Sequence, residues 1–378
     1  MHYFEYATKD TTLYEMSHSM NAGQDEILEV RKDMNAGGSA TNVSRALIKF
    51  DLTYVSKSIS SGLITSGSQT KFYLNLYDAN SSDLNVSQTL YGYPVSQSWE
   101  NGSGKFSYFP MVEDGASWKW KDNSIEKTQW NEISASGGTW YSGSGYEASQ
   151  SFTHEPDDLR MDVTDIVWKW LHSTVPNEGF MLKRSGSIGN TDSNVEEGNT
   201  TRYGHFSFFS RETHTIYPPK LEVLWDDSKW TTGSLSALSS DNLEDMVLYM
   251  RGFRSKYKEK SKVKFRLVGR ERYPTKSYSN TASEYLTAKY LPSGSKGSIG
   301  GDGTYYSVKD AITEDIIVPF GTGSLVSCDS TGNYFNLWMN GLQPERFYEF
   351  SFKVVSGSNT TGETIQYFED GFTFKIER

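Results

Sequence analysis

A single cysteine, Cys328, in 378 residues rules out any intramolecular disulfide framework, and no Cys or His spacing has the pattern of a zinc site. Proline is scarce at 10 residues, and no apolar run is long enough to cross a bilayer as a helix. The N-terminal MHYFEYATKDTTLYE has neither a basic n-region nor an apolar h-region, so a Sec-type address is not expected. Positive charge is also short. With 37 Lys and Arg against 47 Asp and Glu, the net charge is -10, which disfavours a general affinity for phosphate backbones. Nucleic-acid partners and membrane insertion are therefore not expected.

What the chain does have is glycine, 33 residues, and aromatics at 14%. Many short turns between short strands explain the glycine, and aromatics supply large apolar area where aliphatics are sparse. Runs at 27–30, 46–52, 71–77 and 179–183 read as strands, with Phe72, Leu74 and Leu76 on one face and Lys71, Tyr73 and Asn75 on the other. In SRALIKFDLT, residues 44–53, Leu47, Phe50 and Leu52 are expected to pack inward, leaving Arg45, Lys49 and Asp51 for loop or surface contacts. One stretch breaks the pattern. Val163, Ile166, Val167, Trp170 and Leu171 recur at helical spacing behind Asp162, which can accept from the free N–H groups of the first turn.

The polar stretch 227–241 reads as a linker between a domain at 1–226 and another at 242–378. In the second, strands are expected at 246–250, 263–268, 315–319, 334–339, 347–355, 364–368 and 372–376. The expected fold class is all-β, with two β-sandwich domains, the first carrying one short helix.

Several motifs occur in a fixed order in the first domain: SRALIKFDLT, then Trp99-Glu100-Asn101-Gly102-Ser103-Gly104, Asp114-Gly115-Ala116-Ser117-Trp118, the helical DVTDIVWKWL and FFSRETHTIYPPKLEVLW ending at Trp225. Together they resemble a DNRLRE-type β-sandwich, related to a carbohydrate-binding-module family and found in secreted and virion proteins. In the second domain, Leu342-Gln343-Pro344 followed by Tyr348 and Phe350 resembles the tyrosine corner of immunoglobulin and fibronectin type III domains. The pairing, with strings such as Gly332-Asn333-Tyr334-Phe335, is similar to structural proteins of tailed bacteriophages.

The resemblance brings no catalytic residues with it, and the residues themselves present no constellation for chemistry. There is no nucleophile elbow or hydrolase triad signature, and GSIGGDG at 297–303 is not followed by the Lys-Ser/Thr of a phosphate loop. His154-Glu155-Pro156-Asp157-Asp158 reads as electrostatics at a helix entry rather than a metal site. Asn359-Thr360-Thr361 and similar sequons read as turns. No cofactor is expected. Trp99 and Trp118 read as anchors for long loops, whereas Trp120, Trp140 and Tyr141 are the candidates for contact with a glycan or a neighbouring protein. The basic run 251–272 reads as the solvated face of a strand.

The expectation is a non-enzymatic, multi-copy structural protein of a virion, in the neck, tail, baseplate or capsid surface, contacting other virion proteins. The alternative is a carbohydrate-binding module or adhesin for an acidic or cell-surface polysaccharide.

Overall fold

The computed structural model describes residues 1–34, 38, 41–84, 86–131, 137–185, 196–238, 243–273, 288–292, 303–358 and 362–378. It is all-β apart from two α-helices and two 3-10 turns among those residues. The chain divides into two compact units. One comprises Phe4–Leu63 and Lys71–Val223, and the other Met1–Tyr3, Ile64–Thr70 and Leu224–Arg378.

The first unit is built from β1 (His2–Tyr14), β2 (Ile27–Met34), β3 (Thr41–Phe50), β4 (Lys71–Leu76), β5 (Gln88–Pro94), β6 (Trp120–Asp122), β7 (Thr128–Gln129), β8 (Ala148–Phe152), β9 (Leu159–Asp162), β10 (Phe180–Lys183), β11 (Gly204–Phe209) and β12 (Lys220–Leu224). Helix α1 (Thr53–Ser60) follows β3, and α2 (Thr164–Leu171) follows β9. Ten strands form one hydrogen-bonded network in the order β8-β5-β10-β3-β1-β12-β4-β9, with β2 branching from β3 to pair with β11. The network wraps until its ends meet: the Gln150 side chain on β8 accepts from the Arg160 N–H of β9 at 2.7 Å and donates to the Asp158 carbonyl at 3.1 Å. Wrapping shields the edges that a flat sheet would expose.

Phe72, Leu74 and Leu76 are all fully buried, as their alternation requires. Strand β3 departs from the expected one-sided pattern. Leu47 and Phe50 are both buried, but with Ala46 and Ile48 between and beside them equally so. By strand parity Leu47 shares a face with Arg45 and Phe50 the other, and both faces are covered. Arg45, expected to make loop or surface contacts, meets a loop at the Gly137 carbonyl and is fully buried, because the tryptophan-rich segment covers the face that a simple sandwich would leave wet. Lys49 is half-buried in a 2.7 Å pair with Glu178, and Asp51 is exposed, accepting from the Thr53 N–H that opens α1. Helix α1 has no counterpart in the expected elements. Helix α2 buries Ile166, Val167 and Trp170, and Asp162 accepts from the Thr164 N–H at 3.0 Å.

The second unit contains β13 (Met246–Arg251), β14 (Lys256–Lys258), β15 (Lys262–Glu271), β16 (Gly303–Asp310), β17 (Ile316–Val318), β18 (Ser327–Asp329), β19 (Gly332–Trp338), β20 (Phe347–Ser358) and β21 (Gly362–Glu377). They form a four-stranded sheet, β13-β15-β19-β18, and a five-stranded one, β14-β21-β20-β16-β17. A core fed by both sheets lies between them, including Phe265, Leu267, Phe335 and Leu337 from the first and Tyr306, Phe350, Phe352 and Phe374 from the second. Ring centroids of 4.3 Å for Tyr306–Phe335 and 4.9 Å for Phe265–Phe350 show how much of that core is aromatic. The expected strands at 364–368 and 372–376 are one strand, β21, with a register shift opposite Phe350–Phe352.

Residues 227–238, the described part of the expected linker, are hydrogen-bonded along the second unit. The Lys229 N–H donates to Ser327 Oγ, Thr231 N–H to the Cys328 carbonyl, and Leu238 N–H to the Tyr290 carbonyl. Their polar side chains gave no strand pattern because the attachment runs through the backbone. Cys328 is buried there, and burial pushes its thiol up to about 11.

Candidate contact surface in the tryptophan-rich segment

The segment from Trp99 to Tyr141 is held down by one asparagine. Asn21, fully buried, donates from Nδ2 to the carbonyls of Asn101 and Ala116, both at 2.8 Å. Its Oδ1 accepts from the N–H groups of Gly23 at 3.1 Å and Gly104 at 2.8 Å. Three of the four contacts, those with Asn101, Gly104 and Ala116, fall within the W-E-x-G-x-G and D-G-A-S-W motifs, so these motifs encode a loop junction. Gly102 and Gly115 have φ of 78° and 61°, and a Cβ on Gly102 would lie 2.3 Å from Asn21 Oδ1. Asn101 itself accepts from the Asp10 N–H at 2.9 Å and donates to the Gly23 carbonyl at 2.7 Å.

Three tryptophans then close over β3 and β10. Trp99, Trp118 and Trp130 are buried, with the Trp99 indole donating to the Glu178 carbonyl at 2.9 Å and Trp130 to the Ser117 carbonyl at 3.0 Å. Trp99 and Trp118 are thus anchors. Beneath them lies a buried charge cluster. Glu197 accepts from Arg45 Nη2 at 2.8 Å and Nε at 3.2 Å, and from Lys183 at 3.1 Å. Arg45 also donates to the Gly137 carbonyl at 2.7 Å, and Lys183 to the Arg184 carbonyl at 2.7 Å.

Arg45, Lys183, Arg184 and Glu197 are all fully buried, and such charges persist in an interior only when paired and hydrogen-bonded. Burial lowers the Lys183 ammonium to about 8 and the Arg184 guanidinium to about 10, against the opposing pull of the nearby glutamates. With its carboxylate engaged by two cations, the cluster joins β3, β10 and the segment at Glu197 as an internal fastening.

The three candidate contact residues take different positions. Trp140 is half-buried against the anchor cluster, with Arg45 at 5.1 Å and Lys183 at 4.9 Å from its ring centroid. Cations thus occupy ring surface that a sugar would need. Tyr141 is half-buried and stacks on Tyr146 at 5.8 Å. Trp120 is half-buried at the start of β6, under Lys119 at 5.0 Å. The structure does not gather the three into one open platform of free rings.

The exposed apolar surface lies elsewhere, on the loop 105–112. Phe106, Tyr108, Phe109 and Met111 are all exposed, Phe109 completely at 101%, and Met16 is exposed nearby on the chain leading from Tyr14. The loop is fastened by Phe106 against Tyr14 at 5.1 Å, by the Phe106 N–H donating to Asp25 at 3.0 Å, and by the Asn21 N–H donating to the Val112 carbonyl at 3.0 Å. A soluble monomer seldom keeps such a cluster without using it. The signal was present in KFSYFPMV, an apolar run between turn residues with no strand alternation.

Among the described residues no set of three His, Cys, Asp or Glu converges as metal ligands. In the 154–158 segment, Asp158 Oδ1 accepts from the Asp78 N–H at 2.8 Å. Residues 297–302 of GSIGGDG and the Asn359 sequon lie outside the described residues. No helix among the described residues is long and apolar enough to cross a membrane.

No family model matches the chain, and no curated protein matches it. Among solved structures it is similar to an FMN-binding beta-glucuronidase from Facaelibacterium prausnitzii L2-6, at 7% identity and a TM-score of 0.16. That alignment covers all of this chain and 39% of the other, and a likeness so slight carries no argument about fold or function.

Proposed function

We propose that the chain is a non-enzymatic structural protein of a bacteriophage virion, present in several copies and acting through protein–protein contacts. The observation that carries this reading is the anchored loop of Phe106, Tyr108, Phe109 and Met111. It presents large apolar side chains to solvent from a scaffold that fixes their positions. Rigid aromatic groups of this kind form interface cores at small entropic cost. The ordered motifs that resemble a DNRLRE-type domain, followed by an immunoglobulin-like one, support the virion assignment. Neck, tail, baseplate and capsid surface all fit such a module pair.

The test is a paired substitution, Tyr108→Ser with Phe109→Ser, in the phage that encodes the chain. Both side chains are exposed, so the purified variant is expected to melt as the parent does. Its incorporation into particles is expected to fall severalfold. Normal incorporation of a folded variant would remove the loop from the account.

A further inference from the structure

Charge is unevenly spread along the chain. Residues 251–272 hold ten Lys and Arg against Glu259 and Glu271 alone, leaving 27 basic and 45 acidic residues for the remainder. In the structure much of this run falls on one side of one sheet. On β15, Phe265 and Leu267 enter the core, so Lys262, Lys264, Arg266 and Arg270 face outward. Strand β13 places Arg251 directly opposite Arg266, and β19 places Tyr334 opposite Arg266 and Trp338 opposite Lys262.

Lys264 lies 3.7 Å from the Tyr334 ring centroid, Arg266 5.3 Å from it, and Lys262 5.1 Å from that of Trp338. Asp329 answers two of the cations, Arg266 at 2.7 Å and Lys264 at 2.9 Å. Arg251, Lys262 and Arg270 have no ion pair among the described residues. Like charges opposite one another across strands repel, so an anionic partner would relieve the repulsion that Asp329 leaves on this face.

The first unit exposes the complementary surface. Glu147, Asp162 and Asp165 line one cleft at the start of α2, where Lys71 is the cationic member. At the other end of β9 the preceding turn exposes Glu155, Asp157 and Asp158, and the exposed Arg160 between turn and cleft is paired with Glu222 at 2.9 Å.

We propose that the cationic sheet face of one copy docks on this acidic surface of a second copy. The inference rests on the assembly reading and names the partner. Because the two surfaces differ, the contact is head-to-tail, and it either repeats into a ring or a filament or closes reciprocally between two copies.

Sedimentation of the full chain over a salt series tests it without any variant. Oligomers are expected at low salt and monomers at about 0.5 M, where charges are screened within a few ångströms. Arg251→Glu with Arg270→Glu, and separately Glu155→Lys with Asp165→Lys, are each expected to weaken association by about tenfold or more. Mixing the two variants is expected to restore it. A chain that is monomeric at every salt concentration overturns the proposal, as do oligomers indifferent to salt and to both variants, or variants that fail to recover on mixing. The two readings can fail separately. A monomeric chain still found in purified particles removes only the head-to-tail contact, and a self-associating chain missing from them removes only the assembly reading.

Discussion

Replacing Asn21 with Asp changes one heavy atom and tests whether a single side chain holds the tryptophan-rich segment in place. Both acceptor contacts survive, since a carboxylate oxygen still receives the Gly23 and Gly104 N–H groups. Both donor contacts are lost, and a second carboxylate oxygen faces the carbonyls of Asn101 and Ala116 where Nδ2 stood 2.8 Å away. The Ala116 contact is buried and the Asn101 contact partly so, and each carbonyl deprived of its donor and facing a carboxylate costs about 1–3 kcal/mol, so a loss of about 4 kcal/mol is expected. For a unit of this size that corresponds to a fall in melting temperature of about 10 °C. Burial and the facing carbonyls raise the new carboxyl's pKa, so the deficit shrinks in acid as the group gains a proton and with it one donor. Thermal unfolding followed by tryptophan fluorescence reads this directly, because Trp99, Trp118 and Trp130 depend on the same junction. A melting temperature within about 2 °C of the parent at neutral pH would refute the reasoning.

The buried cluster gives a second test: Glu197→Gln leaves Arg45 and Lys183 without their carboxylate and is expected to cost about 3–5 kcal/mol, whereas Glu178→Gln at the partly exposed Lys49 pair costs under about 1 kcal/mol. Equal losses in urea titrations would contradict the assignment. Asp10 is buried, which raises its carboxyl to about 7 against the N–H bond from Arg211. Since the folded state holds this proton more tightly than the unfolded one, its contribution is full below about pH 4 and is lost as pH rises to about 7. Asp10→Asn is therefore expected to match the parent near pH 4 and exceed its stability at pH 8 by up to about 4 kcal/mol, and parallel stability curves would count against it. Tyr348 Oη accepts from the Gln343 N–H at 2.7 Å and donates to its carbonyl at 3.2 Å. Tyr348→Phe is expected to cost about 1–3 kcal/mol in the second unit's unfolding transition, and no measurable change would empty the corner of its structural meaning.

That corner was legible because its geometry is local: Gln343 and Tyr348 are five positions apart, and the alternation of Phe350, Phe352 and Val354 that follows marks the strand. Phe72, Leu74 and Leu76, and the Asp162 start of α2, were readable for the same reason. The charge cluster was not, because Arg45 and Glu197 are 152 positions apart and nothing near either announces the other. Alternation set Arg45 on the outward face for loop or surface contacts but did not show its burial, since here an insertion folds back over β3. The W-E-x-G-x-G and D-G-A-S-W motifs were readable as loop anchors through Trp99 and Trp118, but not what joins them, because their common partner is Asn21, on a stretch that carries no motif of its own. Trp140 was singled out by residue type, and the cations over its ring come from distant strands. The exposed loop was passed over because KFSYFPMV has no periodicity, and that absence is itself the mark of apolar residues that serve no core.

The central claim, that this chain is a virion component, is tested most directly by quantitative mass spectrometry of purified, nuclease-treated phage particles. The account predicts the chain in every preparation at a fixed ratio to the major capsid protein, corresponding to several copies per particle. Its absence from intact particles, with the chain abundant in the lysate from which they came, would contradict it.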